Sequence, residues 1–125
     1  MPYIKERRQV PRYRLHISAK IHTSAFYING TILDISVEGI RLESFLTIEP
    51  GTPVTVQFKI EKEIVFKGLV LWVINLRKRD LDLYQMGIKV DDMAVAGIKV
   101  IGFDIKNDLI QEILTALERK SQRPD

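Results

Sequence analysis

The sequence predicts a mainly β fold, in which six short antiparallel strands close into a barrel or sandwich and one helix follows. Apolar and polar residues alternate in six separate runs, the pattern of strands that bury one face. Turn-forming residues separate the runs at close spacing, as in small all-β domains. Near the C-terminus the apolar period lengthens to that of a helix. A chain of 125 residues has room for one such domain.

Each predicted strand follows from its own pattern. The alternation from Tyr13 to Ile21 is the clearest. Asn29-Gly30 predicts a bulge or turn inside the second run, and Gly68 predicts a bend where the fifth run turns a barrel corner. Turn chemistry at 49–53 and 61–63 separates the third, fourth and fifth runs. The six predicted strands cover residues 13–22, 26–35, 39–43, 54–60, 64–76 and 84–90.

The C-terminal segment is predicted to form an amphipathic helix over about residues 106–120. Asn107 is the expected N-cap, and Asp108 suits the positive end of the helix dipole. For residues 98–103 the pattern is ambiguous, and a further short strand is one interpretation. The apolar stripe that the helix must bury consists of Leu109, Ile110, Ile113, Leu114, Ala116 and Leu117.

The net charge of +3 is concentrated at the N-terminal end. Residues 1–20 carry six basic side chains and one acidic, whereas the rest of the chain carries 13 basic and 15 acidic. We interpret residues 1–12 as a flexible basic arm and residues 13–125 as one folded domain. The arm is expected to meet an anionic partner, and a merely solvated tail is the alternative.

The composition argues against several classes of protein. There is no cysteine, and His16 and His22 would lie about 20 Å apart on a regular strand, so we expect no metal site. Phosphate-loop and nucleophile-elbow motifs are missing, so we expect no enzyme. The longest apolar run, Leu69–Ile74, is far shorter than the roughly 18 residues that span a membrane. We therefore expect no membrane segment, and the lack of cysteine fits a cytoplasmic protein.

Two short motifs remain. Arg8 and Arg12 form an R-x-x-x-R spacing, and Asp34, Ser36 and Gly39 form D-x-S-x-x-G between two predicted strands. In this order they resemble the PilZ domain family, in which the two motifs form a cyclic di-GMP site. Three further segments are similar to strands and turns of that family, namely residues 50–54, 70–72 and 84–88.

The resemblance implies a six-stranded antiparallel barrel with an appended helix, and it implies how the arm acts. Arg8 and Arg12 would clamp the ligand, because a guanidinium forks onto phosphate or onto guanine O6 and N7. Arg7 looks like the basic residue that in some members favours an intercalated ligand dimer. Pro11 disfavours a helix at this point, so an extended wrap of the arm is expected.

The barrel would supply the other half of the implied site. Asp34 is an acceptor for the guanine N1–H and N2–H₂ edge, and Ser36 offers a hydroxyl. Gly39 allows a positive φ or a close approach of the backbone to the ligand. Trp72, in a long apolar run, is more often a core anchor, and its alternative role is to stack on a guanine at the rim.

The sequence therefore predicts a cyclic di-GMP receptor with no other cofactor. Ligand binding would order the arm and create a surface that a downstream protein partner recognises. One alternative is a PilZ-like adaptor that binds no ligand. Another is a barrel that binds single-stranded nucleic acid, which we consider unlikely because the barrel itself is net acidic.

Overall fold

Seven strands and one helix follow one another in the computed structural model, which describes residues 10–121. The strands are β1 (Tyr13–His22), β2 (Tyr27–Ile35), β3 (Gly39–Ser44), β4 (Pro53–Ile60), β5 (Lys62–Asn75), β6 (Tyr84–Val95) and β7 (Ile98–Val100). The helix is α1 (Phe103–Ser121). All six predicted strands are confirmed, and the open segment after residue 97 supplies the seventh.

The six long strands form a closed antiparallel barrel. Their order is β3-β2-β1-β4-β5-β6, and β3 also pairs with β6, which closes the sheet on itself. β7 extends the sheet by pairing with the end of β6. The predicted six-stranded antiparallel barrel is therefore confirmed, with one short strand in addition.

The core fills the barrel and the interface with α1. Residues at alternate strand positions are buried, and Phe58 packs edge-on against Phe66 with ring centroids 5.6 Å apart. α1 contacts β4 and buries its apolar stripe. Arg119, in the last turn of the helix, forms an ion pair with Glu61. The charged composition of this helix leaves it unable to span a membrane. Its buried residues are Leu109, Ile110, Ile113 and Ala116.

The irregularities of the sheet differ in part from those predicted. Gly68 does mark an irregularity, because the β5–β6 register shifts between Lys67 and Gly68. Asn29-Gly30, in contrast, forms neither a turn nor a bulge, and β2 runs through both residues in regular pairing with β1. The bulge in the β1–β2 pair lies between Arg14 and Ile17. A Cβ at Gly30 would lie 2.9 Å from the carbonyl oxygen of Glu43 on β3. The close approach of β3, rather than a turn, therefore explains the glycine at this position.

Two element boundaries were also wrong. β6 continues to Val95, because the extra residue in its pairing with β5 breaks the alternation that predicted an end at Val90. The helix begins at Phe103 rather than near residue 106, so Asn107 lies inside it and is not its cap. The Lys106 amide donates to the Gly102 carbonyl at 3.0 Å, which closes the first turn.

Candidate functional site

One row of cross-strand neighbours crosses the outer face of the barrel. Partner positions in adjacent strands are roughly 4.8 Å apart, so the four members of this row span about three strand spacings. The contact between β3 and β6 that closes the barrel joins the two halves of the row. We call it the site row, and its members are Asp34, Arg41, Gly87 and Trp72, on β2, β3, β6 and β5.

Two arginines hold the carboxylate at one end of the row. Arg12 donates to Asp34 Oδ1 from Nη2 at 2.6 Å and from Nε at 3.1 Å. Arg41 donates from Nε to Asp34 Oδ2 at 2.7 Å and from Nη1 to Gln85 Oε1 at 3.1 Å. Asp34 is buried, whereas the Arg12 side chain is 49% exposed. The carboxylate is therefore paired with two guanidiniums, of which that of Arg12 is the more exposed.

Residues 36–39 form a tight turn beside this cluster. The Ser36 amide donates to the Gly39 carbonyl at 2.8 Å, and Ser36 Oγ accepts from the amides of Glu38 and Gly39 at 3.1 Å each. Ser36 is only 1% exposed, so its hydroxyl shapes the turn in this state. The turn directs the chain from β2 into β3 and brings Gly39 next to the Arg12 guanidinium.

Gly39 permits a close approach of strands. Its φ is not positive, so a left-handed backbone is not the reason for a glycine here. A Cβ at this position would lie 2.9 Å from the Ile88 carbonyl oxygen and 4.0 Å from Arg12 Nη1. A side chain here would therefore push β3 away from β6, and it would be in contact with the guanidinium.

Trp72 lies at the other end of the site row and outside the core. The β5–β6 register shifts between Val70 and Trp72, so Leu71 is an extra residue on β5. Without that bulge Trp72 would point inward like Val70, two residues earlier, which is buried. Instead the indole is 39% exposed and covers Gly87, whose Cβ position it approaches to within 2.3 Å. The preference for a core anchor was wrong.

An open cleft of about 790 Å³ lies over this part of the barrel. Its apolar lining includes Leu71, Trp72 and Phe103, which are all exposed. Its charged lining is mostly basic, since four cations face one acid. These charged residues are Arg12, Arg41, Lys89, Lys106 and Glu38. A cleft with an aromatic wall and a concentration of cations suits an anion with a planar ring system.

Comparison with known proteins agrees with this architecture. The model of the PilZ domain matches residues 6–102 of the chain. The chain belongs to the PilZ domain family. The matched segment begins within the basic arm and ends one residue before α1, and a search of the curated proteins gave no match.

Two solved structures have a similar fold. One is the Bacillus subtilis inhibitor of motility (MotI/DgrA), with a TM-score of 0.62 and 16% identity. The other is the MrkH–c-di-GMP complex of K. pneumonia, with a TM-score of 0.63 and 19% identity. Each similarity covers 96% of this chain, but only 55% and 57% of the two neighbours. This PilZ chain therefore spans little more than half of either neighbour.

The PilZ motif residues that the structure describes are close together. Arg12 and Asp34 are in direct contact, and the turn of Ser36 and Gly39 lies next to them. Arg7 and Arg8 lie outside the described residues, so their contacts stay predictions. Within residues 10–121, no three His, Asp or Glu side chains are grouped as a metal site would require.

Sequence analysis missed other residues of the PilZ cleft. Arg41 could have been found, because it lies two positions after Gly39 and a strand returns to the same face at that spacing. Lys89 could be placed only through its pairing with Gly39 on a strand distant in sequence. Phe103 and Lys106 gave no local signal, since only the packing of α1 brings them to the cleft.

Proposed function

We propose that this PilZ domain is a non-catalytic receptor for cyclic di-GMP. One observation carries the proposal: a half-exposed Arg12, held by Asp34, lines the same cleft as the exposed Trp72. An arginine fork can bind a phosphate or the O6 and N7 of guanine, and an aromatic face can stack on the base. The family membership of the chain and the MrkH–c-di-GMP complex among its structural neighbours support the choice of ligand.

The proposed mechanism is an exchange of partners at Arg12. In the described state its guanidinium bonds to Asp34, a contact that a phosphodiester or guanine edge can replace. Asp34 keeps its bond to Arg41, so the exchange leaves no buried charge unpaired. The oxygen that Arg12 releases is then free to accept from the guanine N1–H and N2–H₂ edge.

The arm and the partner complete the proposal. Arg8 and Arg7 would add contacts from residues 1–9, and Arg7 would favour an intercalated pair of ligands. Laying the arm over the cleft would create a composite surface, which a downstream protein could recognise. The cost of ordering the arm would be offset by charge-assisted hydrogen bonds to the phosphates.

Calorimetric titration with four ligands tests the proposal. The full chain is titrated with cyclic di-GMP, cyclic di-AMP, GMP and a single-stranded oligonucleotide. We expect micromolar or tighter binding of cyclic di-GMP and at least tenfold weaker binding of cyclic di-AMP, because adenine has no O6 acceptor for arginine. Preference for the oligonucleotide would indicate a nucleic-acid-binding barrel, and no binding at all would indicate a ligand-free adaptor.

Trp72 provides a direct optical test of the same site. It is the one tryptophan in the sequence, so the intrinsic tryptophan fluorescence of the chain reports on the cleft. Cyclic di-GMP is expected to quench or shift this emission by stacking on the indole. Trp72→Ala should weaken binding about tenfold, within the range for one stacked base, and Trp72→Phe should restore most of it. Unchanged emission at saturating ligand would place the ligand elsewhere.

A further inference from the structure

Two lysines of the cleft belong to neither motif and have little else to bind. Lys89 is 59% exposed, and its ion-pair contact is a distant one, 3.9 Å from Asp91. Lys106 makes no ion pair with any residue in the described range 10–121. Both line the same cleft as Arg12 and Trp72. Their charges are thus available to a ligand, unlike that of Arg41, which Asp34 and Gln85 already engage.

The register of the sheet places Lys89 beside the arginine cluster. Gly39 on β3 is the cross-strand partner of Lys89 on β6, and Arg41 is the partner of Gly87. Lys89 and Arg41 therefore share the outer face of this strand pair. Arg12 Nη1 lies 4.0 Å from the Cβ position of Gly39, so Lys89 faces the cleft one strand away from that guanidinium.

Lys106 reaches the cleft from the helix. The first turn of α1 brings both Phe103 and Lys106 to the cleft lining, next to the exposed β5 residues Leu71 and Trp72. The helix thus forms one wall of the cleft. A ligand stacked on Trp72 would therefore occupy the cleft that Lys106 also lines.

We infer that Lys89 and Lys106 form a second phosphate site in the cleft, on its β6 and α1 side. The inference rests on the proposed function. Cyclic di-GMP has two phosphodiester anions, and Arg12 with the arm can neutralise one of them while the other remains. An ammonium binds phosphate as a point charge without a fixed geometry, so two lysines suit a phosphate whose position the arginine fork already determines.

Matched alanine variants test this second phosphate site. The affinity for cyclic di-GMP is measured by calorimetry for Lys89→Ala, Lys106→Ala and the double variant. Lys99→Ala and Lys120→Ala are the controls, because each removes one exposed lysine, from β7 and from the last turn of α1, outside the cleft lining. We expect each cleft variant to weaken binding about five- to tenfold and the double variant about 30-fold or more, and each control to stay within twofold.

The outcomes separate this inference from the proposed function. If the native chain binds and Arg12→Ala does not, while either cleft lysine variant binds as tightly as the native chain, the second phosphate site is overturned and the receptor remains. If the native chain itself fails to bind cyclic di-GMP, the proposed function fails first.

Thermal melts of the lysine variants should coincide with that of the native chain, since the substituted side chains are surface lysines. A loss of affinity in the controls equal to that of the cleft variants would show a general charge effect and would also overturn the inference.

Discussion

Replacing Arg12 by alanine is expected to abolish measurable cyclic di-GMP binding, a loss of about 100-fold or more. The substitution removes the more exposed of the two guanidiniums that line the cleft, the one proposed to exchange Asp34 for the ligand. A 100-fold loss corresponds to about 2.8 kcal/mol. That is within the range for truncating a hydrogen-bonded charge at a binding site. Calorimetric titration of the variant with cyclic di-GMP provides the measurement.

Two further substitutions determine how the Arg12 result is interpreted. Arg12→Lys keeps the charge and loses the fork, so it should bind with an intermediate affinity. Arg119→Ala is the matched control, because Arg119 is also an exposed arginine paired with a carboxylate, but it contacts Glu61 away from the cleft. Its affinity should equal that of the native chain. If Arg12→Ala bound within threefold of the native chain, the proposed exchange at Asp34 would be wrong.

The stability of Arg12→Ala should hardly change. The pair joins a half-exposed arginine to a buried carboxylate, and we expect its loss to cost about 1 kcal/mol because Asp34 is not left unpaired. Arg41 also continues to neutralise the carboxylate. A lowered affinity without a lowered melting temperature would therefore separate a binding role of Arg12 from a structural one.

Gly68→Ala is expected to destabilise the barrel more than any surface substitution discussed above. A Cβ at this position would lie 1.7 Å from the carbonyl oxygen of Lys89, so the β5 and β6 backbones must separate. We expect a loss of about 3–5 kcal/mol in the free energy of unfolding, since backbone displacement adds to the cost of overpacking. Urea unfolding followed by circular dichroism measures it.

Gly97→Ala is the control for this prediction. Gly97 has a φ of 82°, but a Cβ there would meet nothing within 4 Å, so only backbone strain of about 1 kcal/mol is expected. Equal stability of the two alanine variants would show that β5 and β6 are not as close at Gly68 as described.

The Gly68→Ala substitution should also affect binding. Because Lys89 is the residue displaced, any Gly68→Ala protein that does fold should bind cyclic di-GMP more weakly than the native chain.

The predictable part of this protein was encoded in local patterns. The alternation of each run was sufficient to identify its strand, because in a strand successive side chains point to opposite faces and one face must be buried. The same logic failed after Val90, where a bulge inserts one residue and reverses the alternation, and a second bulge turns Trp72 out of the core. A bulge is stabilised by pairing with a partner strand, which the residues around it do not specify.

The sequence by itself determined the barrel class, the helix and the motif residues around Asp34, since these depend on periodicity and on residue chemistry at fixed spacing. The tertiary structure alone decided that Trp72 shares one row with Asp34 and Arg41 and that Lys106 reaches their cleft. The reason is physical. Register across the β3–β6 closure and the docking of α1 depend on contacts between segments distant in the chain, and no local pattern encodes those contacts.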